Sequence, residues 1–168
     1  MQFASDICQS RYDSPLGAMV LAATSKGLAG VWFTDQRHAP DWSGWRMAPS
    51  HPLLCRAATQ LSEYFAGKRS GFDLTLDLSA GTTFQQSVWQ QLLSIGHGRT
   101  SSYGSVSAAA GKPAAVRATG AAVGRNPLTI IVPCHRVLGA HGALTGYAGG
   151  LQRKVALLQL ESQAPFPA

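Results

Sequence analysis

The stretch YGSVSAAAGKPAAVRATGAAVGR, residues 103–125, decides the fold of the second half of the chain. Tyr103 to Ala110 has the composition of a short helix, and Gly111-Lys112 makes a tight turn. Pro113 sits where the next helix takes its first residue, because the N–H it lacks is one that a helix start leaves unpaired anyway. That second helix is expected to run to about Gly124. Helix, a short turn containing glycine, then helix is the helix-turn-helix pattern. The second helix is built almost wholly of small residues, with Arg117 within it and Arg125 at its end. Small side chains let a helix backbone lie close against a surface such as nucleic acid. A tightly packed core helix also uses alanine, but it has less use for two arginines and for three residues that are glycine or threonine.

Just downstream stands Ile130-Ile131-Val132-Pro133-Cys134-His135-Arg136-Val137. The apolar run predicts a buried strand, and Pro133 ends it by fixing φ and removing a donor. Cys134 is then partly shielded from water, with an imidazole and a guanidinium as neighbours. A free cysteine is commonly an inert small core residue. Basic neighbours favour the other reading, since they lower a thiol's pKa and the thiolate is the form that attacks. Upstream, Phe84, Val88, Leu92 and Ile95 mark a helix with Thr83 as its N-cap, broken by Gly96-His97-Gly98. Phe84 and Trp89 are assigned to the core. A last helix is expected over Leu151 to Glu161. A carboxylate at that end opposes the helix dipole, which hints at a specific partner.

The first half reads as a small α/β unit. Ala18 to Thr24 and Leu28 to Phe33 form a hairpin about Ser25-Lys26-Gly27. Residues 34–50 read as a loop. Pro52 opens a helix with Leu53, Leu54, Ala57, Leu61, Tyr64 and Phe65 on one face, stopped by Gly67. Phe72 to Leu78 alternates strictly and predicts a half-buried strand. Ser79 to Thr83 is the expected boundary, dividing the chain into residues 1–80 and 81–168.

At 168 residues, the chain suits one ordinary domain or two small ones sharing an interface. It is 45% apolar and only 13% charged, the balance of a soluble folded protein, yet 14 Lys and Arg against 8 Asp and Glu give a net charge of +6. A basic patch facing an anionic partner is expected, nucleic acid being the usual one. The three cysteines, Cys8, Cys55 and Cys134, leave an odd thiol and show no C-x-x-C spacing. Neither a disulfide framework nor a zinc site is indicated. His38, His51, His97 and His141 have no ligand spacing and are read as surface residues, so no metal is expected. Met1 to Ser10 carries an aspartate and no apolar leader, and no run is long enough to span a membrane; a cytoplasmic location is expected.

Taken together, Arg125-Asn126-Pro127, Pro133-Cys134-His135-Arg136-Val137 and Gly146-Tyr147-Ala148-Gly149-Gly150 resemble the O6-alkylguanine-DNA alkyltransferases, most closely the short bacterial single-chain type. The resemblance spans Phe84 to about Glu161. It implies a ribonuclease H-like α/β domain, with a small antiparallel sheet and a helix, followed by a mainly α domain with a winged helix-turn-helix. It implies Cys134 as alkyl acceptor, His135 as the group taking its proton, and Glu161 as the carboxylate holding the imidazole. Asn126 links recognition helix to active-site segment, Tyr103 protonates the departing guanine, and Arg117 fills the gap left by a flipped nucleotide. Gly104, Lys112, Arg125 and Arg136 are implied DNA contacts, while Tyr147, Ala148, Gly149 and Val137 form the pocket. Ala148 stands where serine is common, and Arg125 where glycine or serine is common. The implied partner is duplex DNA bearing an alkylated guanine, docked by its minor groove to a monomer that needs no cofactor.

The chemistry suits these residue types. Neutral thiol is a poor nucleophile and needs a base. Neighbouring residues of an extended segment face opposite ways, so a water between Cys134 and His135 is the natural relay. Two other readings compete. A binding module for alkylated bases has no use for a poised thiol. A Cys-His hydrolase draws its base from a distant segment, whereas His135 adjoins Cys134.

Overall fold

In a computed structural model that describes residues 1–162, the first half is a four-stranded sheet with one helix. Its strands are β1 (Cys8–Ser14), β2 (Gly17–Thr24), β3 (Gly27–Phe33) and β4 (Arg46–Met47), in the order β3-β2-β1-β4. The expected hairpin is β2–β3. Two elements depart from expectation. β1, antiparallel to β2, was hidden by its polar sequence; Gln9 and Ser10 are nonetheless buried. Gln9 satisfies part of its amide by donating to the carbonyls of Trp42 (2.6 Å) and Trp45 (3.1 Å), which ties down the loop over residues 34–50. Within that loop lies β4, parallel to β1, so the sheet is mixed and not purely antiparallel.

Residues 72–78 are not a ladder strand. They touch β3 only around Leu28, whose N–H donates to Thr75 O while Asp77 N donates to Leu28 O, both at 2.8 Å. The reason is competition for the edge of β3. Farther along the same strand, Val31 donates to Pro127 O (2.8 Å) and accepts from Thr129 N (3.0 Å). Two segments, one from each half of the chain, share one edge.

Helix α1 (Pro52–Phe65) begins at the expected proline, and His51 caps it by accepting from Leu53 N through Nδ1. Its buried stripe, Leu54, Ala57, Leu61 and Tyr64, packs on the sheet; a fully buried leucine contributes about 1.5–3 kcal/mol. Gly67, with φ +70°, follows the end as expected.

The second half contains α2 (Thr83–Leu93), β5 (Ser101–Ser102), α3 (Tyr103–Ala109), α4 (Val116–Gly124), β6 (Val137–Leu138) and α5 (Leu151–Glu161). Thr82, not Thr83, caps α2, in a reciprocal capping box with Gln85. Helix α4 starts three residues later than Pro113 predicts. Ala115 is its N-cap, and the preceding turn is held by Ser107, whose hydroxyl donates to Lys112 O and whose carbonyl accepts from Lys112 N. Buried Trp89 of α2 donates to Ala122 O at 2.8 Å and so fixes α4. β5 and β6 pair in parallel beside the two helices.

Both halves contribute to one apolar cluster, running from Leu21, Phe33 and Tyr64 to Trp89, Leu128, Cys134 and Leu157. Arg153 of α5 reinforces the junction: it pairs with Asp35 (2.8 Å), donates to Leu16 O (2.9 Å) and lies 4.1 Å over the Phe33 ring. Among the described residues, no helix is long and apolar enough to cross a membrane.

Candidate active site

The loop that delivers Cys134 has a constrained backbone. Residues 130–132 are buried as expected, but they turn rather than extend. Ile130 has φ +76°, a conformation costly for a β-branched residue, and Val132 N donates back to Leu128 O at 2.8 Å. Asn126 stabilises this turn. Its Oδ1 accepts from Leu128 N (2.9 Å), and its Nδ2 donates to Val132 O (2.7 Å) and to Cys134 Sγ (3.1 Å). One side chain thus shapes the loop and aims the sulfur.

Cys134, His135 and Arg136 then form a single 3-10 turn. At about three residues per turn, their side chains diverge by roughly a third of a circle each. Cys134 faces a cavity of about 160 Å³, also lined by Tyr103, Gly120, Val123, Gly124, Gly146, Tyr147 and Ala148. Cys134 is only 6% exposed, so the thiol is largely shielded from bulk water. The small residues of α4 therefore serve a second purpose: Gly120 and Gly124 leave the space that the cavity occupies.

His135 and Arg136 point away from the cavity, to Glu161. His135 Nε2 lies 2.8 Å from Glu161 Oε1, and Arg136 donates from Nη2 to Oε1 and from Nε to Oε2, each at 2.8 Å. Arg136 Nη1 also donates to the carbonyl of Ile95. Arg136 is buried, so the expected DNA contact is corrected: its guanidinium is committed to the carboxylate. A residue not singled out from sequence joins them. Tyr64 of α1 donates to Glu161 Oε1 at 2.7 Å. Its signal was a hydroxyl on an otherwise apolar helix face, which needs a partner once buried.

These contacts set the protonation states. Burial alone would push the Glu161 carboxyl up, but hydrogen bonds from His135 and Arg136 outweigh it and hold the group well below the usual carboxylate range. Burial pushes His135 below its ordinary value, so the imidazole is neutral. A neutral ring beside a carboxylate donates through Nε2. Nδ1 is then a bare acceptor, buried and unpartnered among the described residues. Burial pushes the Cys134 thiol up, with the Asn126 hydrogen bond and the nearby Lys154 cation opposing it. Burial and the proximity of Cys134 also raise Tyr103 and Tyr147, which keeps both phenols protonated.

Lys154 also escaped the sequence reading. It is fully buried, brought down by desolvation to about 8, and donates from Nζ to the carbonyls of Val137 (2.6 Å), Thr145 (2.9 Å) and Gly146 (3.3 Å). It fastens the pocket loop to β6. Its signal was spacing, because Lys154, Leu157, Leu158 and Glu161 fall on one helical stripe, all buried.

The remaining expected residues divide by location. Tyr103, at the start of α3, and Tyr147 and Ala148 line the cavity. Val137 and Gly149 do not: Val137 is buried beneath, accepting from Lys154, and Gly149 packs against Tyr147 and Phe33. Gly104, Lys112, Arg117 and Arg125 are exposed. His38, His97 and His141 are exposed as expected, His51 is half-buried, and His38 unexpectedly lies at the cavity. Among the described residues, no group of three or more His, Cys, Asp or Glu is placed to hold a metal ion.

A helix-turn-helix unit that carries a recessed thiol, backed by an imidazole and a carboxylate, defines a nucleic-acid-binding protein with its own nucleophile. The chain belongs to the 6-O-methylguanine DNA methyltransferase family: residues 7–78 match its ribonuclease-like domain and residues 83–163 its DNA-binding domain. Among its relatives is a methylated-DNA–protein-cysteine methyltransferase of Mycobacterium leprae, 49% identical over 154 residues, which cover 92% of this chain and 91% of the relative. A constitutive one of Bacillus subtilis is 42% identical over 156 residues, covering 89% and 92%. The crystal structure of Mycobacterium tuberculosis O6-methylguanine methyltransferase superposes with a TM-score of 0.84 at 46% identity, over 96% of each chain. The M. tuberculosis protein in complex with DNA gives 0.83 at 46% identity, over 92% and 91%.

Proposed function

We propose that this protein repairs duplex DNA by moving the alkyl group of O6-alkylguanine, and of O4-alkylthymine, onto Cys134. The observation that carries this reading is the sulfur at the floor of a cavity bordered by α4, with a neutral imidazole and an ionised carboxylate behind it. The thiol proton passes through a water to His135 Nδ1, and Glu161 stabilises the imidazolium. Sulfur attacks the alkyl carbon, an S–C bond forms and the C–O bond breaks. The departing guanine takes a proton from Tyr103, held as a neutral phenol. Atoms and charges balance without a cofactor.

A recessed thiol cannot reach a stacked base, so the target nucleotide must rotate out, at a cost of a few kcal/mol. Arg117, exposed on α4, fills the vacancy, while Gly104, Lys112 and Arg125 contact the backbone. Docking is by the minor groove, where the sequence code is degenerate, as suits repair at any site. The protein acts as a cytoplasmic monomer. The family matches, which end at residue 78 and resume at 83, support a division at residues 80 and 81; residues 163–168 of the second part lie outside the described residues.

The product is a thioether, which offers water no electrophilic carbonyl, so the protein reacts once. Excess methylated duplex should drive transfer to a plateau of about one methyl per molecule, read by intact mass. A continuing linear phase would overturn the self-alkylation mechanism.

A further inference from the structure

The cavity over Cys134 has a wall from the other half of the chain: Arg37 and His38, in the loop after β3, line it opposite the small residues of α4. Their placement is built. Asp35 is paired with Arg153 of α5. The Gln36 side chain accepts from Phe33 N and from the Thr129 hydroxyl, 3.1 and 3.0 Å away. Arg37 N donates to Ala148 O at 3.0 Å, joining this loop to the pocket loop at the mouth. His38 then takes φ +62°, a left-handed conformation rare for a side-chain-bearing residue and found where surroundings impose it. Three successive residues are thus anchored to the second half, and the next reverses the chain at the cavity rim.

The anchors leave the Arg37 guanidinium unused. Arg37 is exposed, and among the described residues its side chain has no hydrogen bond or ion pair, although Asp35 is two residues away and already taken by Arg153. A free guanidinium at the entrance of a pocket for an extruded nucleotide meets one group first: the phosphodiester beside that nucleotide, whose oxygens match its planar fork.

We infer that Arg37, presented by the pinned loop at Asp35–His38, binds the phosphate flanking the flipped nucleotide, making the first half of the chain part of the substrate site. The inference rests on the proposed alkyl transfer, and the test separates the two. Arg37→Ala lowers the second-order rate on alkylated duplex about tenfold, while the rate on the free base O6-benzylguanine, which has no phosphate, stays within twofold. Arg37→Lys, which keeps the charge but lacks the planar fork, recovers only part of the loss on duplex. The log-log salt slope of duplex binding falls in magnitude by about one with Arg37→Ala, the signature of a single lost phosphate contact. Melting is unchanged because the side chain is exposed and the backbone bond to Ala148 persists. A duplex rate unaffected by Arg37→Ala, or equal losses on both substrates, overturns the inference. Wild-type protein that fails to alkylate Cys134 with either substrate overturns the proposed activity instead.

Discussion

Around Glu161, both carboxylate oxygens are engaged by three side chains, and Arg136 divides its donors between that carboxylate and a backbone carbonyl. Lys112, in the turn between α3 and α4, and Arg117, on α4, are exposed, with no side-chain partner among the described residues. The two regions come from separate stretches of the chain and solve opposite problems. The chemical centre must hold one protonation pattern before any substrate arrives, so its polar groups are satisfied internally. The recognition face must exchange water for phosphate and base, so its cations stay unpaired.

The largest effect is expected at the one atom through which both regions act. Cys134→Ser should abolish alkyl transfer, while affinity for duplex stays within about twofold because sulfur is not a docking group. Peptide mapping of the reacted wild type should place the alkyl group on Cys134; a label on Cys8 or Cys55 would sink the assignment.

Glu161→Gln sharpens the contrast next. It leaves Arg136 buried without a counter-charge, which costs about 3–5 kcal/mol of stability. Weakened support for the base lowers the transfer rate by about 10²–10⁴. The wild type's pH dependence has a definite sign. A carboxyl held below its ordinary range contributes stability that is complete above that range, about pH 4–5, and is lost as pH falls through and below it. His135 acts in the same direction, because the unfolded chain takes up a proton below about pH 6.5 that the buried ring resists. Melting temperature should therefore fall continuously from pH 7 to pH 4, less steeply in Glu161→Gln. A flat wild-type profile would show that neither group is linked to folding.

Arg117→Ala, on the open face, should leave stability within about 0.5 kcal/mol. It should slow transfer on duplex about tenfold, since the side chain offsets part of the cost of extrusion. The rate on free O6-benzylguanine should not move. Equal losses on both substrates would make Arg117 a structural residue.

The sequence made the short-range features legible and concealed those that depend on a competitor elsewhere. Pro52 and Gly67 bracket α1 because caps are local. The 72–78 alternation was real, but residues 127–129 had taken the neighbouring part of β3's edge. The Ile130–Val132 run was correctly buried and wrongly extended, because Asn126 bends it through hydrogen bonds that periodicity does not register. Cys134, His135 and Glu161 could be chosen by type and motif. Tyr64 and Lys154 could not, since each looked like an ordinary member of a helix until its tertiary partners were in place. Arg136 carried a charge that suggested solvent, and its partner lay in α5, 25 residues on.

The order of the chain gives the Glu161 cluster a meaning in time. During synthesis, Cys134 and His135 emerge before the carboxylate 26 residues later that orients the imidazole. Tyr64, made long before, closes the cluster only when the two halves have docked. The proton acceptor behind the thiol is therefore complete only once α5 has been made and the two halves have docked, so the full set of contacts at Glu161 is among the last features the fold acquires.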